Sequence, residues 1–210
     1  MKRFIVSAAL LIAAAIGFTV APATAAAPEG NKIQCFSGTQ DTADNAGYGP
    51  YGGTCTQLSP NRAFLDTSPC TEPNGCYAGV YLPNQEINGK LIGDVEKLSF
   101  KYNGFGASGG SPRLSIPIDT DGDGDTEFFA FVDVLGCNDG STTRGKLDVI
   151  NDPTCTIQAG SETFPNYAAF VAAHPTYKIA MDNYAFVVQD QPGEFTIWNV
   201  QIGNKSRGGK

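Results

Sequence analysis

An acidic run in the middle of the chain constrains both fold and chemistry more than any other stretch. Residues 118–127 read Ile-Asp-Thr-Asp-Gly-Asp-Gly-Asp-Thr-Glu, with a carboxylate at every second position. Two carboxylates ~5 Å apart repel by roughly 1 kcal/mol in water and by several times more near a protein surface. The run is therefore unfavourable unless a hard cation binds its oxygens; the alternative is a solvated acidic loop without an ion. Its five acids are Asp119, Asp121, Asp123, Asp125 and Glu127.

The same run resembles the D-x-D-x-D-G class of calcium-binding loops. Asp119, Asp121 and Asp123 match its three carboxylates, and Gly124 matches the glycine of its sharp turn. A true EF-hand has a bidentate Glu at the twelfth position, where this chain has Ala130. We therefore expect the five acids of the run to bind Ca²⁺ outside an EF-hand, with the missing ligand supplied by the acid at the ninth position or by another part of the fold.

Hydrophobic alternation on both sides of the run predicts an all-β fold. Residues 113–118 place Leu114, Ile116 and Ile118 on one face, whereas residues 127–135 are apolar on both faces, as in a central strand. The acidic run would join these strands as a long hairpin. Further strands are predicted at 77–82, 94–103, 177–181, 185–189 and 194–202, and one helix at 164–174. This pattern predicts an all-β, two-sheet antiparallel β-sandwich, jelly-roll-like, with one short helix.

The first 25 residues have the features of a secretory signal peptide. Two basic residues precede an apolar run, 4–20, and a small-residue cleavage site ends at Ala25. Pro22 directly after the run argues against a retained membrane span. We expect a secreted or envelope-located protein without a membrane span in its mature part. The predicted domains are the signal peptide (1–25), a single sandwich domain (26–203) whose part 26–76 is loop-rich and disulfide-held, and a disordered basic tail (204–210).

The six cysteines all follow the predicted cleavage site, and an even number in an exported chain predicts three disulfides. Six cysteines allow 15 pairings, and the sequence does not decide between them. Pairing of nearest neighbours is favoured because each bond would then close a Gly-, Asn- or Thr-rich loop. The favoured pairs are Cys35–Cys55, Cys70–Cys76 and Cys137–Cys155.

The charge balance limits the possible partners. Removal of the signal peptide leaves 12 basic and 21 acidic residues, a net charge of −9. Such an acidic chain is a poor candidate for binding nucleic acid or an anionic membrane surface. The sequence leaves the oligomeric state open.

Catalytic motifs are present only in part, and no catalytic residue is predicted. Ser108 lies in a Gly-Ala-Ser-Gly-Gly stretch that matches the G-x-S-x-G nucleophile elbow, and His174 follows later in the chain. That elbow requires a strand, a turn and a helix, but a second strand is predicted after Ser108. Hydrolysis of glycosides requires two carboxylates held close together, which the sequence cannot pair. A secreted hydrolase remains an alternative.

Aromatic residues are the candidate ligand contacts. Trp198, the only tryptophan, has apolar neighbours in the last predicted strand, which favours a core position. In a groove, however, its ring could stack on a sugar. Residues beside Gly or Asn are expected to be exposed, and they are Tyr48, Tyr51, Tyr102, Phe105 and Tyr184.

The last third of the chain resembles the closing strands of galactose-binding-like and carbohydrate-binding-module β-sandwiches. The resemblance covers the short helix, the strand at 177–181 and residues 190–200, Asp-Gln-Pro-Gly-Glu-Phe-Thr-Ile-Trp-Asn-Val. It implies a structural Ca²⁺ and sugar binding at loops or at a concave sheet. Export, the calcium loop, the surface aromatics and the lack of a complete catalytic motif then favour a non-catalytic protein that binds an extracellular polysaccharide, a cell-surface glycan or another polymer. No sugar-binding residue carries over from the resemblance. A structural or adhesive envelope protein that binds another protein is the first alternative.

Overall fold

A computed structural model of the chain describes residues 32–39, 52–70, 76–83, 85–137 and 142–203. The predicted signal peptide and basic tail lie outside these ranges. Within them, one α-helix (α1) spans Tyr167–Ala173 and a 3-10 turn spans Ile92–Asp94. The 13 strands there are β1 (Gln34–Thr39), β2 (Thr54–Ser59), β3 (Arg62–Asp66), β4 (Cys76–Tyr81), β5 (Leu98–Phe105), β6 (Arg113–Asp119), β7 (Phe128–Asp133), β8 (Arg144–Asp148), β9 (Ile157–Ala159), β10 (Glu162–Phe164), β11 (Lys178–Ile179), β12 (Phe186–Gln189) and β13 (Glu194–Ile202).

The described strands form two antiparallel sheets. The eight-stranded sheet has the order β1-β4-β12-β6-β7-β9-β10, with β11 paired to β6, and the five-stranded sheet has the order β2-β3-β13-β5-β8. The all-β, two-sheet sandwich of the prediction is confirmed, with its single helix and its three disulfides. The acidic run joins two neighbouring strands of the larger sheet, β6 and β7, as expected.

The hydrophobic core lies between the two sheets, because alternate side chains of each strand point towards the facing sheet. On β6, Leu114, Ile116 and Ile118 point inward, and each is at most 1% exposed. On the facing sheet, Phe195 and Ile197 of β13 are fully buried. Full burial of one such side chain contributes about 1.5–3 kcal/mol. The side chains between these inward positions therefore point to the outer faces of the sandwich.

The disulfides follow the favoured nearest-neighbour pairing. Cys35–Cys55 joins β1 to β2, the first strand of each sheet. Cys70–Cys76 closes the connection that enters β4, and Cys137–Cys155 closes the segment that contains β8. Disulfides of this kind persist in oxidising compartments, which indicates a protein that matures outside the cytoplasm. Within the described ranges, no helix has the length and apolar character needed to cross a membrane.

The helix is shorter than the predicted span 164–174. Asn166 is its N-cap, and its side-chain oxygen accepts a hydrogen bond from the N–H of Ala169 at 2.9 Å. The buried Tyr167 hydroxyl donates to the carbonyl of Ile92 at 2.8 Å, which ties the helix to the 3-10 turn. Burial raises the pKa of Tyr167, so that this hydroxyl stays protonated and remains a donor.

Several short strands were not predicted. β3 and the β9–β10 hairpin were unassigned. Residues 26–59 were expected to be loop apart from a short strand at 32–37, which the structure has as β1, and residues 139–153 were expected to be hairpin or loop; these two segments contain β2 and β8. These strands have at most six residues and are rich in polar or small side chains. β8 pairs with β5, and β3 pairs with β13, and pairing with a strand distant in sequence leaves little local pattern.

Candidate metal centre and the outer face of the smaller sheet

The acidic loop begins where β6 ends. Asp119 closes the strand and is only 1% exposed, because β11 pairs with the same position through Lys178. The loop then turns through Gly122 and Gly124, whose φ angles are 89° and 98°. This left-handed region favours glycine, so the two glycines allow the loop to fold back on itself.

Hydrogen bonds from the loop backbone orient the carboxylates. The two oxygens of Asp119 accept from the N–H groups of Gly122 at 2.6 Å and Gly124 at 3.0 Å. Asp121 Oδ1 accepts from the N–H of Asp123 at 3.2 Å. The N–H of the next acid, Asp125, donates to Asp123 Oδ1 at 2.9 Å. Each bond uses part of a carboxylate and leaves lone pairs available to a cation.

Four of the five predicted ligands converge. Each contributes one carboxylate oxygen, and these oxygens all lie within 4.8 Å of one another, so that the group could hold a metal ion; its members are Asp119, Asp121, Asp123 and Glu127. Glu127 is brought in by its own backbone, whose N–H donates to Ile118 O at 3.0 Å, while its Oε2 accepts from Thr120 N at 2.6 Å. The acid at the ninth position thus joins the cluster, as the sequence suggested.

The fifth predicted ligand, Asp125, is not part of this group. The nearby Asp123 carboxylate raises the pKa of Asp125 above its ordinary value of 3.8, with further contributions from desolvation and from Asp182. A raised carboxyl pKa means that the ionised form is disfavoured. The acids around Asp125 therefore disfavour a further negative charge at this position.

A segment distant in sequence holds the loop in place. The N–H of Met181 donates to Gly124 O at 2.8 Å. Thr126 Oγ1 donates to Asp182 Oδ1 at 2.5 Å and accepts from Asn183 Nδ2 at 3.0 Å. Sequence reasoning missed Asp182, because only the fold brings residues 181–183 against the acidic run.

Ser108 does not lie in a nucleophile elbow. It forms an isolated bridge with Ser111, after which the chain enters β6 and not a helix. His174 caps the C-terminus of α1, stacks on Tyr177 at 4.3 Å between ring centroids, and lies 3.6 Å from a carboxylate oxygen of Glu162. The hydrolase alternative gains no support from these residues.

Trp198 is not in the core, contrary to expectation. Phe195 and Ile197 point inward from β13, so the side chain of Trp198 points to the outer face, where it is partly exposed. Tyr102 was expected at the surface but is fully buried, packed between Phe100 and Phe195. Both corrections follow from alternation, which places Tyr102 inward beside outward neighbours on β5 and places Trp198 outward beside the inward Ile197 on β13.

Trp198 lies in a row of outward-facing residues that crosses four strands. Its register partners are Arg62 on β3 and Lys101 on β5, and Lys101 in turn faces Lys146 on β8. In the adjacent row, Thr196 faces Asn103, and Asn103 faces Arg144. We call these seven residues the Trp198 face; they are Arg62, Lys101, Asn103, Arg144, Lys146, Thr196 and Trp198.

The Trp198 face contains two adjoining depressions. One, of about 400 Å³, lies towards β8, and the other, of about 220 Å³, lies towards β3. Trp198 and Asn103 line both of them. The indole ring of Trp198 therefore lines a surface groove together with side chains that can donate and accept hydrogen bonds.

The remaining predicted aromatic contacts are divided. Phe105 is 54% exposed, as expected, and Tyr184 is partly exposed with its ring 6.1 Å from that of Tyr81. Tyr48 and Tyr51 lie outside the described residues.

A second aromatic cluster covers the outer face of the larger sheet. Phe36 lies 4.4 Å from Tyr81 and 5.8 Å from Phe186 between ring centroids, and Phe186 lies 5.3 Å from Phe129. All four rings are partly exposed. Burial, and then the neighbouring Tyr77, raises the pKa of Tyr81 above 10.0.

Comparison of the chain with protein-family models, with curated proteins and with solved structures gave no match. The resemblance to galactose-binding-like sandwiches therefore stays a prediction. The features that bear on function are the cluster of acids in the loop and the outer faces of the two sheets.

Proposed function

We propose that this protein is an exported, calcium-stabilised β-sandwich that binds a glycan without catalysis. The observation that carries the proposal is the position of Trp198, partly exposed in a surface groove next to Asn103 and Thr196. A tryptophan ring offers a large apolar face for stacking, and amide and hydroxyl groups can bond to sugar hydroxyls. The groove is open and crosses several strands, which suits an extended polymer.

The chemistry of the acidic loop favours Ca²⁺ as the metal. All of the converging ligands are carboxylate oxygens, which are donors for a hard cation. Ca²⁺ takes six to eight oxygens from flexible loops, whereas Mg²⁺ demands a near-ideal octahedron and keeps several waters. Four carboxylates supplied by one loop match the Ca²⁺ preference.

The proposed role of the ion is structural. The acidic loop joins β6 to β7 of the larger sheet, whereas the Trp198 face belongs to the smaller sheet. A bound cation would fasten the β6–β7 hairpin and the segment that contacts it, residues 181–183. Chelation is therefore expected to lower stability, and to affect glycan binding only as the fold is lost.

Export is proposed from two independent features. The N-terminal sequence has the pattern of a signal peptide, and all six cysteines are paired in disulfides. Disulfides of small domains form and persist in oxidising compartments such as the periplasm or the exterior of the cell.

Retention on insoluble or immobilised polysaccharides tests the proposal. The mature protein should be retained on at least one polysaccharide in calcium, and Trp198→Ala should abolish retention. Tyr184→Ala is the matched control, because it removes an aromatic side chain just before β12 of the larger sheet. This variant should behave like the parent. Absence of retention on every polysaccharide, with the protein folded by circular dichroism, would remove the glycan-binding proposal.

A structural or adhesive role is the second candidate, and the aromatic cluster around Phe36 and Phe186 favours it. Exposed aromatic patches are frequent in protein–protein interfaces. A pull-down from envelope extracts separates the candidates. Capture of one specific protein that is lost in Phe36→Ser and kept in Trp198→Ala would favour the adhesive role.

A further inference from the structure

Many of the described lysines and arginines of this acidic protein lie on one surface, the Trp198 face. The full chain has a formal net charge of −7. Nine lysines and arginines fall within the described ranges, and four of them belong to this one face. The four are Arg62, Lys101, Arg144 and Lys146, from the three strands β3, β5 and β8.

The register of the sheet puts like charges next to each other. Lys101 and Lys146 are direct cross-strand partners, and Trp198 lies between Lys101 and Arg62. Like charges directly opposite each other destabilise a sheet, so this arrangement costs stability when the face is empty. A bound anion would offset that cost.

Three acidic residues lie on the same sheet surface as the Trp198 face. Asp148 lies 2.5 Å from Lys146 and compensates that one charge. Asp66 and Glu194 face each other across β3 and β13, four residues along each strand from Arg62 and Trp198. Asp66 and Glu194 therefore lie away from Trp198, and Asp148 is a carboxylate in contact with the Trp198 face.

We infer that the Trp198 face binds an anionic polysaccharide, one whose sugars carry carboxylate or sulfate groups. This inference rests on the proposed glycan-binding function and narrows its ligand class. The row Arg62–Trp198–Lys101–Lys146 spans four strands, or about 14 Å at a strand spacing of about 4.8 Å. A sugar ring stacks on the indole, and flanking anionic groups contact the guanidinium and ammonium groups on either side.

Matched pairs of polymers test the charge requirement. Binding of the mature protein to dextran sulfate is compared with dextran, and binding to polygalacturonate with its methyl ester, all in saturating calcium. The structure predicts binding to at least one anionic member of these pairs at least about tenfold tighter than to its neutral counterpart, with affinity falling as salt rises. The two pairs distinguish sulfate from carboxylate as the recognised group.

Variants locate the site. Lys101→Gln combined with Arg144→Gln should weaken binding to the anionic polymer about tenfold and flatten the salt dependence. Trp198→Ala should weaken it about thirtyfold or more. Lys90→Gln, next to the larger sheet, is the control and should bind like the parent. All substituted side chains are at least partly exposed, and melting temperatures confirm that each variant is folded.

The outcomes separate this inference from the broader proposal. Equal binding to neutral and anionic polymers, lost in Trp198→Ala, keeps the glycan-binding function and overturns the anionic ligand class. Anionic binding that survives the double substitution overturns the assignment to this face. Equally tight binding of single-stranded poly-dT, lost in the same variants, would show a polyanion site that is not specific to glycans and would overturn the inference. Binding to no polymer removes both proposals.

Discussion

Neutralising one acid of the acidic loop should change the melting temperature in opposite directions with and without calcium. Asp123→Asn removes one negative charge from the cluster but keeps the side-chain oxygen that accepts the hydrogen bond from Asp125 N at 2.9 Å. The substitution therefore changes charge while preserving loop geometry. In chelator it should stabilise the protein, because repulsion falls. In calcium it should destabilise the protein, because a charged ligand is lost.

The magnitudes follow from the spacing of the acids. Asp123 has three other acids whose oxygens lie within 4.8 Å, and each pair repels by about 1 kcal/mol in water before screening by salt. In chelator we expect a rise in melting temperature of about 1–3 °C, after most of that repulsion is discounted for screening. With free calcium at about 100 times its dissociation constant, binding stabilises the parent by about 2.7 kcal/mol. For a domain of this size that corresponds to about 5–11 °C, most of which the variant should lose.

Thermal unfolding followed by circular dichroism, with and without chelator, measures both signs in one experiment. Asp94→Asn, an exposed aspartate on the 3-10 turn outside the loop, is the control and should shift the melting temperature equally in both conditions. Asp123→Asn could instead lower the melting temperature by the same amount with and without calcium. That result would refute the idea that the carboxylates of the cluster repel one another until a cation binds them.

Two further predictions concern other parts of the fold. Burial by itself would raise the pKa of Asp148, but hydrogen bonds from Lys146 and Asn151 outweigh it and hold the pKa below 3.8. The ionised Asp148 therefore stabilises the fold above the unfolded-state pKa, and this stabilisation is lost as the pH falls through the folded-state pKa. Asp148→Asn should accordingly melt below the parent at pH 7, and the difference should shrink as the pH falls below 3.8. It should also bind dextran sulfate more tightly, since Lys146 is released. A melting difference that stays constant as the pH falls would contradict this. Tyr167→Phe removes the donor to the buried carbonyl of Ile92 and should cost about 1–3 kcal/mol, measured by urea unfolding; a loss below about 0.3 kcal/mol would show that the bond does not anchor the helix.

The parts of the fold that sequence reasoning predicted are those with local periodicity. Leu114, Ile116 and Ile118 alternate along β6, and its inward face follows directly from that pattern. β13 alternates up to Trp198, where its register shifts, and its predicted span 194–202 matches the structure. The disulfide pairing was also predicted, because each bond closes a short loop. The convergence of acids was predicted in part: all five acids lie in one short run of sequence, and four of them come together in space.

The parts that were missed depend on long-range pairing. β8 has five residues, two of them cationic, and becomes a strand only because β5 pairs with it. Asp182 meets the acidic loop through the fold alone. For Trp198, flanking apolar residues were given more weight than strand parity, which points the side chain outward. The Trp198 face itself joins residues of four strands, and no local motif marks it.

The central claim is that the acidic loop binds one calcium ion. Isothermal titration of chelator-treated protein with Ca²⁺ tests it most directly, with Asp121→Asn combined with Asp123→Asn as the comparison. We predict one ion per chain for the parent and a loss of at least about a hundredfold in affinity for the double variant. No heat of binding up to millimolar calcium, or equal binding by both proteins, would contradict the claim.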